Sequence, residues 1–95
     1  MRVSVALCTF NGQRHLPDQL RSLADQTRLP DELVVCDDHS ADATVSVLDE
    51  FATRAPFTVR VFRNDTTIGT TANFERAISL CAGDLILLCD QDDVW

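Results

Sequence analysis

Apolar positions along the chain fall into two kinds of run that alternate. "VSVALC", Val3 to Cys8, is short, apolar and rich in β-branched residues, and the turn-prone "TFNG" ends it, which predicts a strand. Leu16, Leu20, Leu23 and Ala24 then recur at helical spacing. They predict an amphipathic helix over roughly His15 to Gln26, with Pro30 beyond its end. "ELVVC", Glu32 to Cys36, is a second short strand, followed by "DDHSAD". Asp42 or Ser40 is suited to cap the next helix, whose apolar face is Val45, Leu48, Phe51 and Ala52. Pro56 closes that segment.

The alternating "FTVRVF", Phe57 to Phe62, is a third strand, and "RNDTTIG" is loop. Phe74, Ala77, Ile78 and Cys81 form a helix stripe, with Gly83 placed as a left-handed C-cap. "DLILLC" is the fourth strand. It is apolar on both faces, so it is expected to be central and covered on both sides. The order is βαβαβαβ, without repeats, low-complexity segments or a linker. Strands alternating with helices imply an α/β fold with a parallel sheet between helix layers. The strand order that fits is 3-2-1-4, half of a Rossmann-like doubly wound fold.

All strands of a parallel sheet end at one edge. After the first strand come Thr9, Phe10, Asn11 and Gly12; after the second, Asp37, Asp38 and His39; after the fourth, Asp90, Gln91, Asp92 and Asp93. In the order 3-2-1-4, the first and fourth strands flank the switch point where ligands bind. The segments Thr9–Asn11 and Asp90–Asp93 are therefore expected to face each other. Five acids at one rim repel; at ~5 Å and an effective dielectric of ~20, each unit pair costs about 3 kcal/mol. A hard divalent cation, Mg²⁺ or Mn²⁺, answers that repulsion and takes further oxygens from substrate phosphates. The i, i+2 spacing of Asp90 and Asp92 lets one hold the metal while the other meets a ligand hydroxyl.

Composition narrows the alternatives. The chain has 95 residues, 45% of them hydrophobic, and a net charge of −7. That fits one small soluble domain and argues against nucleic acid on a basic face. All eight basic residues are arginine, which excludes a Walker A lysine and a Schiff-base lysine. It also counts against a phospho-receiver. The four cysteines show no CxxC spacing, so buried reduced thiols are expected rather than a zinc site. An EF-hand fails because Val94 and Trp95 fall at loop positions 5 and 6 counted from Asp90. "CTFNG" has one glycine where a dinucleotide fingerprint needs three. A glycoside hydrolase needs carboxylates on opposite sides of a bond, which one loop serves poorly. No run is long enough for a membrane span or a signal segment, so a cytoplasmic location is expected, with any membrane contact peripheral at the inner face.

"VSVALCTFNG", "LPDELVVCDDHSADAT", "NDTTIGTTANFERAISLCAGD" and "ILLCDQDDVW" together resemble the family 2 glycosyltransferases, which have the GT-A fold. The resemblance runs over essentially the whole chain, with four motifs in order. The "CDQDDVW" form is most similar to bacterial enzymes of surface-polysaccharide synthesis, rhamnosyltransferases among them. The resemblance implies a nucleotide-diphospho-sugar donor (a UDP- or dTDP-sugar), a saccharide or lipid-linked acceptor, and inversion. It implies that Cys8, Thr9, Phe10 and Asn11 line the nucleotide pocket and that Asp38 contacts the base. Asp90 would lie near the ribose and diphosphate. Asp92 would bind the metal directly, with Asp90 beside it, and Gly69 would let the chain pass close to the nucleotide. His39 stands where the family usually has glycine, and Ala72 where many members have Arg or Lys; Arg76 is the nearby cation.

The general base of such enzymes lies beyond the DxD motif. The chain is therefore expected to be the donor-binding part of a larger domain, truncated after Trp95, with the acceptor-binding part absent. Self-association through an exposed fourth strand is a corollary. The alternative is a non-catalytic module that binds a nucleotide or a divalent metal.

Overall fold

The computed structural model describes residues 1–90. The elements are β1 (Val3–Thr9), α1 (Leu16–Ala24), β2 (Glu32–Asp37), α2 (Thr44–Ala52), β3 (Thr58–Arg63), α3 (Thr70–Leu80) and β4 (Leu85–Asp90). The sheet has the order β3-β2-β1-β4, and every pairing is parallel. The α/β architecture and strand order thus match the sequence reading. Element ends differ from it by one or two residues, as frayed ends and competing turns allow.

β1 and β2 are buried along their whole length. On one face, Val5, Leu7, Leu33 and Val35 pack against Leu16, Leu20 and Leu23 of α1 and Leu48 and Phe51 of α2. Each such side chain contributes about 1.5–3 kcal/mol on burial. On the other face, Ala6, Cys8 and Cys36 meet Ala77 of α3, with Phe62, Phe74 and Ile86 around them. The four cysteines form no disulfide, and Cys8, Cys36 and Cys89 are buried, as expected, while Cys81 is half-buried. Among the described residues, no helix is long and apolar enough to cross a membrane.

Two polar pairs pin the register at the centre of this sheet. Ser4 lies opposite Glu32 and Thr9 opposite Asp37. Ser4 Oγ donates to Glu32 at 2.6 Å, and Thr9 Oγ1 donates to Asp37 at 2.7 Å. A one-residue slip would break both buried pairs and turn every apolar side chain to the wrong face. Glu32 also accepts from Ala82 N at 2.6 Å and from Arg60 at 2.9 Å, so the lower edge ties together three strands and the α3–β4 turn.

Four local expectations change. β4 is the outermost strand among the described residues, as the order 3-2-1-4 implies, but it is not covered on both sides: its Leu85 and Leu88 are 40% and 54% exposed. An apolar groove of about 600 Å³ runs beside it, between Val3, Val5, Leu23, Leu85 and Leu87. Ile78 is exposed, because the buried face of α3 runs through Asn73 and Ala77. Gly83 is not a left-handed cap, since Gly69 is the glycine with positive φ. It is a glycine of close approach: a Cβ there would lie 2.5 Å from Ser4 Oγ and 2.8 Å from Ser4 N. Ser40 turns to Asp37, and Asp42 accepts from Thr44 N at 2.9 Å just ahead of α2.

The two glycines should therefore fail differently. Gly83→Ala forces backbone apart and is expected to cost about 1–3 kcal/mol. At Gly69, φ is 91° and ψ 161°, and an added Cβ would meet nothing within 4 Å. Gly69→Ala is expected to cost about 1–3 kcal/mol through backbone strain alone. Urea denaturation reads both. Crystal structures should show the Ser4–Gly83 contact widened only in the first variant.

Candidate functional site

Register brings Cys8, Thr9, Asp37 and Asp90 to one edge. Cys8 lies opposite Asp90 of β4, and Thr9 opposite Asp37 of β2. The ladder continues past the strand ends, with Asp38 N donating to Thr9 O and Asn64 N to Asp37 O, each at 2.8 Å. Loops from β1, β2 and β3 therefore leave the sheet side by side. The β1–α1 and β2–α2 loops are then joined directly. Asn11 N donates to Ser40 Oγ at 2.8 Å, Asn11 Oδ1 accepts from Ala41 N at 2.8 Å, and Gly12 N donates to Thr44 Oγ1 at 2.9 Å. Asn11 has φ 49°, a left-handed conformation that asparagine tolerates.

The acids after β2 are answered by N–H and O–H donors of the protein. Asp37 is fully buried and accepts from Thr9 Oγ1, from Ser40 N at 2.8 Å and from Ser40 Oγ at 2.5 Å. Asp38 is 4% exposed. Its Oδ1 accepts from Ile68 N at 2.7 Å and Asn64 Nδ2 at 3.0 Å, and its Oδ2 accepts from Gly69 N at 2.9 Å. Asp38 and Gly69, expected at one pocket, are thus in direct contact. Burial alone would raise the Asp38 carboxyl. The bonds from Ile68, Asn64 and Gly69, with the field of His39, outweigh it and hold the group below the ordinary carboxylate value. Hydrogen bonds thus do at Asp37 and Asp38 what a cation was expected to do for all five acids.

Asp90 reaches this rim through its pairing with Cys8, while Asp92 lies outside the described residues. Among the described residues, no group of three or more His, Cys, Asp or Glu side chains could hold a metal ion. Of the other expected pocket residues, Phe10 is 45% exposed at the rim, and Cys8 and Thr9 are buried beneath it.

The sequence reading missed the hub of the third loop. Asn64 and Asn73 are 4% and 2% exposed. Asn64 Nδ2 donates to Asn73 Oδ1 at 2.8 Å, and Asn73 Nδ2 donates to Cys36 O at 2.8 Å. Arg76 Nη1 bonds Asn64 Oδ1, and its guanidinium lies 5.8 Å from the centre of the Phe62 ring. Arg76 therefore braces the hub. The available signal was a polar residue four positions before Ala77 on the buried face of α3. His39 has φ 64° and donates from Nδ1 to Asn64 O at 3.1 Å, so it occupies the left-handed geometry that favours glycine.

Two measurements probe this arrangement. Asn73→Ala strands Cys36 O and one Asn64 donor in the interior, and should cost about 2–4 kcal/mol by denaturant unfolding. A carboxylate held low in the fold stabilises it above the unfolded value, and that gain is lost as pH falls through the folded value. The urea midpoint should therefore drop on acidification below about pH 4. Asp38→Asn, less stable at neutral pH, should converge on the wild type there.

The sequence profile described as Glycosyl transferase family 2 matches residues 4–95. The dTDP-rhamnosyl transferase RfbG of Shigella flexneri is 30% identical over 93 residues, covering 94% of this chain and 32% of its own. An uncharacterized protein of Mycobacterium tuberculosis is 34% identical over 94 residues, covering 98% of this chain and 27% of its own. Staphylococcus aureus TarS 1–349 in complex with UDP-GlcNAc superposes with a TM-score of 0.89 at 28% identity, over 99% of this chain and 27% of that one. The mannosyltransferase PcManGT of Pyrobaculum calidifontis, in complex with GDP-Man and Mn²⁺, superposes with a TM-score of 0.90 at 24% identity, over 99% of this chain and 28% of that one. The chain thus spans about a quarter to a third of the length of these relatives. A profile match from residue 4 to residue 95, on a sheet of order 3-2-1-4 shared with these structures, establishes that the chain belongs to glycosyl transferase family 2 and carries its GT-A fold.

Proposed function

We propose that this chain forms the donor-binding part of a glycosyltransferase that moves a sugar from a nucleoside diphosphate to an acceptor hydroxyl with inversion. The observation that carries the reading is the register of β1 with β4, which sets Cys8 beside Asp90 at the carboxyl edge. Backbone from Cys8 to Asn11 forms one wall of the pocket, with Phe10 offering an exposed aromatic face to the base. Gly69 and Asp38 form the opposite wall. Asp90, the last residue of β4, and Asp92, two positions further along the sequence, would supply oxygen ligands of the kind Mg²⁺ or Mn²⁺ takes.

In the reaction, an acceptor hydroxyl oxygen attacks the anomeric carbon and forms the new glycosidic bond. The bond from that carbon to the diphosphate oxygen breaks, and the leaving group keeps the electron pair. A carboxylate general base removes the hydroxyl proton. A bound divalent ion supplies charge stabilisation to the leaving diphosphate. RfbG, named a dTDP-rhamnosyl transferase, and TarS, solved with UDP-GlcNAc, support a UDP- or dTDP-linked donor. The acceptor in this reading is a saccharide or lipid-linked hydroxyl in surface-polysaccharide synthesis, with the enzyme acting in the cytoplasm at the inner face of the membrane. The uncovered β4 is where the chain alone would self-associate.

Calorimetric titration of the chain with UDP and dTDP, in Mn²⁺ and in chelator, tests this. Weak binding that requires Mn²⁺ is expected, with no sugar transfer by this chain alone. Asp92→Asn should weaken binding in Mn²⁺ by about tenfold or more and leave the chelator result unchanged. Equal binding under both conditions removes the metal from the site, and no binding removes the donor.

A further inference from the structure

We infer that Gln19 is a positioning residue. Its amide reaches from α1 to Cys89, fixes the register of the upper half of β4, and so sets the height at which Asp90 arrives at the rim. The effect on the donor rests on the donor-site reading above, whereas the register does not.

The side chains of β4 do little to fix its register. Leu85, Ile86, Leu87 and Leu88 are all aliphatic, so no alternation of apolar and polar residues distinguishes the two faces. Packing adds little discrimination. Leu85 and Leu88, on opposite faces, are 40% and 54% exposed, and Leu85 and Leu87 border the open groove beside α1. Sliding the strand by one residue would exchange aliphatic for aliphatic on both faces. Among the described residues, β4 also has a single strand neighbour, β1. A slip of one residue moves the chain by about 3.3 Å, which would carry Asp90 away from Cys8.

Polar contacts supply what the aliphatic run lacks. At the lower end, Gly83 N donates to Ser4 Oγ at 2.8 Å, and Asp84 N and Leu85 N donate to Arg2 O at 2.9 and 3.1 Å. These hold the start of the strand. A bulge within residues 85–88 would still shift everything above them. At the upper end, Gln19 Nε2 donates to Cys89 Sγ at 3.1 Å, across 70 positions of sequence. Both residues are buried, at 1% and 0% exposure. The other buried residues of α1 are Leu16, Leu20 and Leu23, and an amide in that row is costly unless it meets a polar atom. In the native register Cys89 lies opposite Leu7, in the same core cluster as Leu16 and Leu20, and brings its sulfur to that amide. One step either way presents Leu88 or Asp90 instead. Leu88 offers no acceptor, and Asp90 would be a carboxylate drawn into an apolar core.

NMR on the full chain, without ligand, tests the register. Gln19→Leu fills the same space with an aliphatic group, so the urea midpoint should change little while the upper half of β4 loses its reference. Cross-strand NOEs from Leu7 and Cys8 to Cys89 and Asp90 should split into a native set and a set shifted by one residue, with those between Ser4 and Gly83 unchanged. Cys89→Val removes the acceptor from the other side and should split them likewise, and it serves in place of Gln19→Leu should that variant not fold. Cys89→Ser keeps an acceptor and should retain the native set alone. Native NOEs in both Gln19→Leu and Cys89→Val, or a split in Cys89→Ser, would overturn the proposal. So would a lowered urea midpoint with native NOEs, the mark of a packing role alone. Calorimetry with UDP in Mn²⁺ reads the consequence at the rim. Gln19→Leu and Cys89→Val should bind about tenfold more weakly, and Cys89→Ser as the wild type does. Unchanged affinity in a register-shifted variant would break the link from Gln19 to the rim. If the wild type does not bind UDP, the donor-site reading fails, and the NOEs still decide whether Gln19 sets the register.

Discussion

The parallel pairing of β1 with both its neighbours is the constraint from which the rest follows. β1 lies between β2 and β4, and hydroxyl–carboxylate pairs fix its register with β2 at both ends. Those pairs are costly to break because each is buried. With the register fixed, the last residues of three strands must arrive at the same height. Residues as distant in sequence as Cys8 and Asp90 then become neighbours without any contact designed between their loops.

The two edges of the sheet carry similar chemistry to different ends. At the lower edge, Glu32 is met by Ser4, Ala82 N and Arg60, and burial that would raise its carboxyl is outweighed by these partners. A cation of the protein's own settles that charge. At the upper edge, Asp37 and Asp38 are settled by N–H and O–H donors, and their bonds shape loops rather than close a core.

Much of this was legible in the sequence. Runs such as Val3–Cys8 and Glu32–Cys36 show short buried strands, the helix periodicities between strands force parallel pairing, and polar residues after each strand mark the functional edge. What could not be read depends on contacts between distant segments. Gly83 is glycine because Ser4 lies against it, and no local pattern reports that. Ile78 fits an apolar stripe on α3, but the helix turns Asn73 inward to meet Asn64 and the Cys36 carbonyl instead. β4 has the composition of a central strand, yet no further strand lies beside it among the described residues. Asp38 was recognisable as a residue of that edge. That its carboxylate accepts from Ile68 N and Gly69 N just ahead of α3 was not, because those partners lie some thirty positions away in the sequence.

The most direct test of a divalent-metal donor site at the carboxyl edge is paramagnetic broadening in NMR, with Mn²⁺ added to the chain in the presence of UDP. The account predicts selective loss of the amide signals of Thr9 to Gly12 and Asp37 to Ser40, with those of Arg2, Asp31 and Glu32 at the opposite edge left sharp. Broadening centred on the lower edge, or spread evenly over the molecule, would contradict it.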